Sequence, residues 1–216
     1  MSQPFHFTKL IIVRHGQARA ADGGYGPDTP LSELGREQAR LVAEALRGHR
    51  DIAKIYSSPF IRAIATARPI EETVGMEATI DGRLAELQIG TAPLDRLIAG
   101  RNVLKLWRPE HRGAEGCESV EEFFTRVGEF CDWACARHRD EKIILVTHGG
   151  TLDAIFRWAM GIPASEPWSF GFEVPNASIS EIEAWPFGRS SDGPPRHSVL
   201  YRVGEAVHLA GAVSDI

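Results

Sequence analysis

Residues 10–18 read LIIVRHGQA. Four apolar residues run without a polar break into Arg14, His15 and Gly16. An uninterrupted, β-branched run of this length is the pattern of a strand buried on both faces, as in a parallel sheet covered by helices. The stretch ILVTHG at 144–149 repeats the arrangement found in IIVRHG at 11–16. Strands of a parallel sheet end on one side, and ligands collect in the crevice at those carboxyl ends. If the two strands are neighbours, His15 and His148 face each other across that crevice. One histidine at a strand end marks only the arrival of the chain at the surface; two on the same pattern point to a shared site.

The remaining elements fall around these two strands. Ser32 is placed to cap a helix over about 33–46, with Leu34, Leu41, Val42 and Leu46 as its apolar positions. Residues 51–58 read as a second strand, and Pro59 suits the first turn of a helix that carries Arg62 and ends near Thr73. Ser119 and Glu122 have capping-box spacing ahead of a helix with Val120, Phe123, Phe124, Val127, Cys131 and Ala134 or Cys135 on one face. A helix follows over 151–160. Residues 178–185 and 198–203 alternate like strands about a Gly/Ser/Pro-rich loop at 186–196. Strands alternating with helices predict an α/β fold, a three-layer α/β/α sandwich with a mainly parallel central sheet. No linker divides the chain, so residues 1–216 read as one domain, with a less periodic, cap-like insert around 91–115.

The length of 216 residues suffices for one substantial core, and the net charge of -5 argues against a general nucleic-acid surface. No apolar run reaches the length of a membrane span, and MSQPFHFTK at the N-terminus lacks the apolar core of a signal peptide. Three cysteines, Cys117, Cys131 and Cys135, are too few and odd in number for a disulfide framework, so a cytoplasmic protein is expected. The sequence leaves the oligomeric state open, a homodimer among the possibilities.

Arg62, one turn into its helix, can point back over the strand ends toward Arg14. Two guanidiniums beside two imidazoles describe an anion pocket with planar, bidentate donors. The N–H groups of Gly149 and Gly150 open the helix after His148 and add further donors. A tetrahedral phosphate fits such a cage better than a flat carboxylate.

RHGQ, PLSELGREQA (30–39), SSPFIRAIATA (57–67), LAELQIG (84–90), VTHGG (146–150) and PNASISEIE (175–183), taken in order, resemble the histidine phosphatase superfamily. The resemblance spans roughly residues 10–183 and implies a phosphoglycerate mutase-like fold. It implies a metal-independent hydrolase of small-molecule phosphate monoesters, with no cofactor. His15 would be the nucleophile that becomes phosphohistidine. Arg14, Arg62 and His148 would bind the phosphoryl oxygens, and Glu86 would serve as general acid and base. Gln17 and Gly149 would line the substrate pocket. Asn176 would support the site, Ser57 would stabilise it indirectly, and a backbone carbonyl would hold the second ring nitrogen of His15.

Mutases of this family usually read RHGES with a Trp-Asn pair following and His-Gly-Asn at the second histidine. Here Ala20 and Ala21 stand where the pair would be, Gly150 follows His148-Gly149, and the long basic insert that grips phosphoglycerate is not evident. These departures favour a phosphatase. The alternatives are mutase-type phosphoryl transfer and a catalytically silent phosphate-binding regulatory protein. The insert at 91–115 carries Arg96, Arg101, Lys105, Arg108 and Arg112 against three acidic residues. It is either a cap that attracts anionic substrates or a solvated face of mixed charge. Cys131, Cys135 and His138 have helical spacing, but the cysteines lie on an apolar face and read as core, not as a metal site. Trp107 and Trp168 read as packing residues. Asp153, where family members often carry arginine or an apolar residue, either trims the positive pocket or is a first-turn helix charge.

Overall fold

A computed structural model describes residues 7–19, 26–88, 108–112, 115–186, 196–209 and 211–212. Strand β1 (Thr8–Arg14) leads to helix α1 (Glu33–Leu46), β2 (Ile52–Ser57), α2 (Ile61–Val74) and the two-residue β3 (Thr79–Ile80). A 3-10 turn, Gly82–Leu84, follows. Then come α3 (Val120–Arg137), β4 (Lys142–Thr147), α4 (Gly149–Ala159), β5 (Ile179–Pro186) and β6 (Arg196–Glu205). The sheet order is β3-β2-β4-β1-β5-β6. The first four strands are mutually parallel, while β5 runs antiparallel to β1 and β6 antiparallel to β5.

The unbroken apolar runs have the cause expected of them. In β1, Leu10 and Ile12 face one core with α3 and α4, while Ile11 and Val13 face the other with α1 and α2. All four are fully buried, as are Ile143 to Val146 of β4. Each such side chain contributes about 1.5–3 kcal/mol by leaving water. Two helices on each face of a mostly parallel sheet make the three-layer sandwich.

Ser32 caps α1 through the Gly35 N–H at 3.0 Å. Ser119 and Glu122 form the reciprocal capping box of α3 at 3.1 and 2.8 Å. The buried stripe of α1 is made of Gly35, Gln38, Ala39, Val42, Ala43 and Leu46. Leu34 and Leu41 are only half-buried. Small residues thus set how closely α1 approaches its neighbours. The alternating stretches after residue 177 pair as β5 and β6. Residues 91–107 and 113–114 of the expected cap, with Arg96, Arg101, Lys105 and Trp107, lie outside the described residues, as does the loop at 187–195.

The arrangement that matters for chemistry is the β1–β4 pairing. Arg14 is in register with Thr147, so His15 and His148 leave adjacent strands side by side. β2 lies on the other side of β4 and delivers Ser58, Phe60 and Arg62 to the same end.

Candidate active site

His15 and His148 meet with ring centroids 5.0 Å apart, and both are buried. The His15 Nδ1 lies 2.7 Å from the carbonyl of Gly16. A carbonyl only accepts, so Nδ1 carries the proton and Nε2 keeps its lone pair. This is the backbone carbonyl the sequence could not name. The Arg62 Nε–H donates to that lone pair at 3.2 Å. Burial, with Arg62 and then Arg14 adding repulsion, holds the His15 pKa well below its ordinary 6.5, although the Gly16 carbonyl pulls upward. The ring is therefore a neutral imidazole at physiological pH.

His148 Nε2 lies 2.7 Å from the Ser58 hydroxyl, which in turn accepts the Phe60 N–H at 3.3 Å. Where that hydroxyl donates to Nε2, the His148 proton sits on Nδ1. Nδ1 is buried and has no hydrogen-bond partner among the described residues. Burial first, then His15, Arg62 and Arg14, holds this imidazole neutral as well. Ser58 thus touches the site directly, whereas the hydroxyl of the expected Ser57 donates to the Ser58 carbonyl. Phe60 was not singled out in the sequence; it packs edge-on to His148 at 5.0 Å and lies under the Arg62 guanidinium at 5.0 Å.

Arg62 is 1% exposed, and its Nη1 donates to the Gly26 carbonyl at 2.6 Å. Arg14 at the end of β1 donates to the Val174 carbonyl. Gly149 lies over the Arg14 guanidinium, where an added Cβ would stand 3.6 Å from Cζ. Two cations and two neutral imidazoles therefore converge at the carboxyl ends of β1 and β4, as an anion site requires.

Glu86 follows the 3-10 turn and reaches the start of α4. Its Oε2 accepts the Gly150 N–H at 3.0 Å and its Oε1 the Leu87 N–H at 2.9 Å. The Gly150 N–H, expected to face a phosphate, is thus occupied by Glu86. A Cβ at residue 150 would stand 2.5 Å from Oε1, so only glycine admits the carboxylate there.

Gln17 sits against the start of α1, where its amide oxygen accepts the Ser32 hydroxyl at 2.6 Å. The Asn176 side chain donates to the His15 carbonyl at 3.1 Å and fixes the backbone of His15. Cys131 and Cys135 are buried in the α3–α4 core, and His138 bridges Tyr56 at 2.9 Å and Glu141 at 2.6 Å. Trp168 packs on Phe124 with centroids 5.2 Å apart. Arg112 binds Glu122 at 2.6 Å and so is used within the fold. Asp153 is 8% exposed and accepts the Phe172 N–H at 2.8 Å. Burial raises its pKa to about 6, and nearby Glu86 adds to the rise. It is a desolvated interior carboxyl, not a surface helix charge.

A model of the histidine phosphatase superfamily (branch 1) matches residues 10–192. The chain belongs to the histidine phosphatase superfamily. A protein described as putative phosphoserine phosphatase 2 of Hydrogenobacter thermophilus is 35% identical, over 81% of this chain and 88% of that protein. A probable phosphoglycerate mutase of Yersinia pestis is 32% identical, over 81% and 84% of the two chains. The solved structure of mycobacterial glucosyl-3-phosphoglycerate phosphatase superposes with a TM-score of 0.74 at 27% identity, over 93% of this chain and 100% of that one. This histidine phosphatase has the phosphoglycerate mutase-like α/β fold expected of the family. No helix among the described residues is long and apolar enough to cross a membrane.

Proposed function

We propose that this histidine phosphatase hydrolyses a small-molecule phosphate monoester without a metal, through a phosphohistidine on His15. The observation that carries the reading is the 2.7 Å bond from Nδ1 to the Gly16 carbonyl, which leaves the Nε2 lone pair facing Arg62 and His148. Incoming phosphoryl oxygens compete for the guanidinium of Arg62, and this frees the lone pair for attack. Arg14, Arg62 and the His148 Nδ1–H then hold the three equatorial oxygens as charge spreads over them.

In the first half-reaction Nε2 bonds to phosphorus, the P–O ester bond breaks, and protonated Glu86 gives its proton to the leaving oxygen. In the second, the Glu86 carboxylate takes a proton from water, the water oxygen bonds to phosphorus, and the P–N bond breaks. Inorganic phosphate leaves, and Glu86 is again protonated. Gln17 and Gly149 border the substrate in this reading. Three free cysteines suit a cytoplasmic setting. A mutase would instead pass the phosphoryl group to a substrate hydroxyl, which phosphate release against transfer to an added acceptor distinguishes.

Hydrolysis of 4-nitrophenyl phosphate in excess chelator tests the reading. Full activity is expected with chelator, none in His15→Ala, and a loss of roughly 10²–10⁴-fold in Glu86→Gln on an alkyl ester. Activity abolished by chelator, or retained in His15→Ala, would contradict it.

A further inference from the structure

The backbone leading to Glu86 is held at every carbonyl. The Arg126 Nη1, from α3, donates to the carbonyls of Arg83 at 2.7 Å and Ala85 at 3.1 Å, with Gly82 at 3.4 Å. Thr147 of β4 donates to the Leu84 carbonyl at 2.8 Å, and Thr151 of α4 to that of Ala85 at 3.1 Å. The two threonines are short and sit on rigid elements. Arg126 is long, and without a second anchor its guanidinium would swing.

Glu118 supplies that anchor. Its carboxylate takes the Arg126 Nε–H at 2.9 Å and an Nη2–H at 2.5 Å, a bidentate pair that fixes the guanidinium plane. The same carboxylate accepts the Gln88 N–H at 3.4 Å, two residues beyond Glu86. The pair therefore grips the chain on both sides of Glu86. Both side chains are mostly buried, at 22% and 18% exposure, so water competes little with the geometry. Arg126 acts on His148 through its charge alone, last among the causes of that depressed pKa, while its hydrogen bonds go to Glu118 and to the backbone before Glu86.

We propose that Arg126, oriented by Glu118, positions Glu86 for proton transfer to the leaving group. The proposal rests on the reading of Glu86 as the proton donor. Transfer requires hydrogen-bond reach of the leaving oxygen, and displacement by about 1 Å can cost on the order of 10²-fold. The consequence is selective. An alkoxide leaving group needs the proton, whereas 4-nitrophenolate departs without one. Loosening Glu86 slows the first kind of ester and spares the second.

The experiment measures kcat/KM across esters from 4-nitrophenyl phosphate to alkyl phosphates in the full-length wild-type protein, Glu86→Gln, Arg126→Gln and Glu118→Ala. Arg126→Gln and Glu118→Ala are expected to lose about 10- to 100-fold on alkyl esters but less than about 3-fold on 4-nitrophenyl phosphate. Glu86→Gln should show the same selectivity more strongly. Should Arg126→Gln fail to fold, Glu118→Ala carries the test, because it removes the anchor and leaves the arginine. Equal losses on both esters, or none, would assign the pair a purely structural role and overturn the proposal. If Glu86→Gln itself shows no selectivity, the reading of Glu86 fails and the proposal falls with it. Selectivity in Glu86→Gln alone overturns the positioning role and leaves Glu86 standing.

Discussion

Gly150 shows how one missing side chain can hold the carboxylate proposed as the proton donor. Its N–H binds Glu86 at 3.0 Å, and its lack of a Cβ leaves the space that Oε1 fills. In Gly150→Ala either the carboxylate or the start of α4 must shift. The expected outcome is a loss of at least about tenfold in kcat/KM on alkyl phosphates, with melting changed little, because the clash falls on a partly exposed side chain and not on the core. Unaltered kinetics would show that Glu86 works from elsewhere. The sequence placed Arg14, His15 and His148 at strand ends and Arg62 one turn into a helix, the family resemblance added Glu86, and the structure brings all five to the carboxyl ends of β1 and β4. The sequence could not show that Ser58 bonds His148; Ser57 was expected only to stabilise the site indirectly. Neighbouring serines at the end of a strand differ only in which way the chain turns next.

Among the elements, α1 matters more to the site than its sequence suggests. Its first turn lies on the loop after His15 with almost no clearance. A Cβ at Gly35 would stand 2.0 Å from the Gln17 carbonyl oxygen, and one at Gly16 would stand 2.4 Å from the Gly35 oxygen. Hydrogen bonds from Ser32 N–H to the Gln17 carbonyl and from Gln17 N–H to Gln38 complete the seam at 2.9 and 2.8 Å. Gly35→Ala therefore drives its Cβ into the backbone of Gln17. Overpacking of this kind costs about 1–3 kcal/mol, and here it also pushes on the carbonyl of Gly16 that fixes the His15 tautomer. Lower melting together with lower kcat/KM is expected; a variant that melts and turns over like the parent would rule the contact out. The apolar spacing of α1 points to Leu34, Leu41, Val42 and Leu46, of which Val42 and Leu46 are buried, because periodicity registers large side chains. The close approach is made by Gly35, Ala39 and Ala43, which a hydrophobic pattern under-weights.

Over the whole molecule, buried titratable groups set opposing pH dependences. His15 and His148 have depressed pKa values in the fold. The stability they contribute is complete above about 6.5 and is lost as pH falls toward those lower values. Asp153 is raised from 3.8 to about 6, so its contribution is complete below 3.8 and is lost as pH rises through about 6. Asp153→Asn removes that penalty and retains an acceptor for the Phe172 N–H. It should melt a few degrees above the parent at about pH 8, with the gap closing near pH 4. An equal offset at both pH values would mean that the carboxyl does not titrate as its burial requires. The layered architecture was legible because both faces of β1 and β4 are apolar, and only a sheet covered on each side accounts for that. The depth of Asp153 was not legible, since its cover comes from residues 168–172, far along the chain.

In the proposed reaction His15 Nε2 carries the phosphoryl group. Rapid mixing with radiolabelled 4-nitrophenyl phosphate in chelator, an alkaline quench and peptide mapping test it most directly. One acid-labile, base-stable phosphoryl group is expected on residue 15, decaying at the rate of phosphate release and missing in His15→Ala. Turnover with no label at that residue, or label on another side chain, would contradict it.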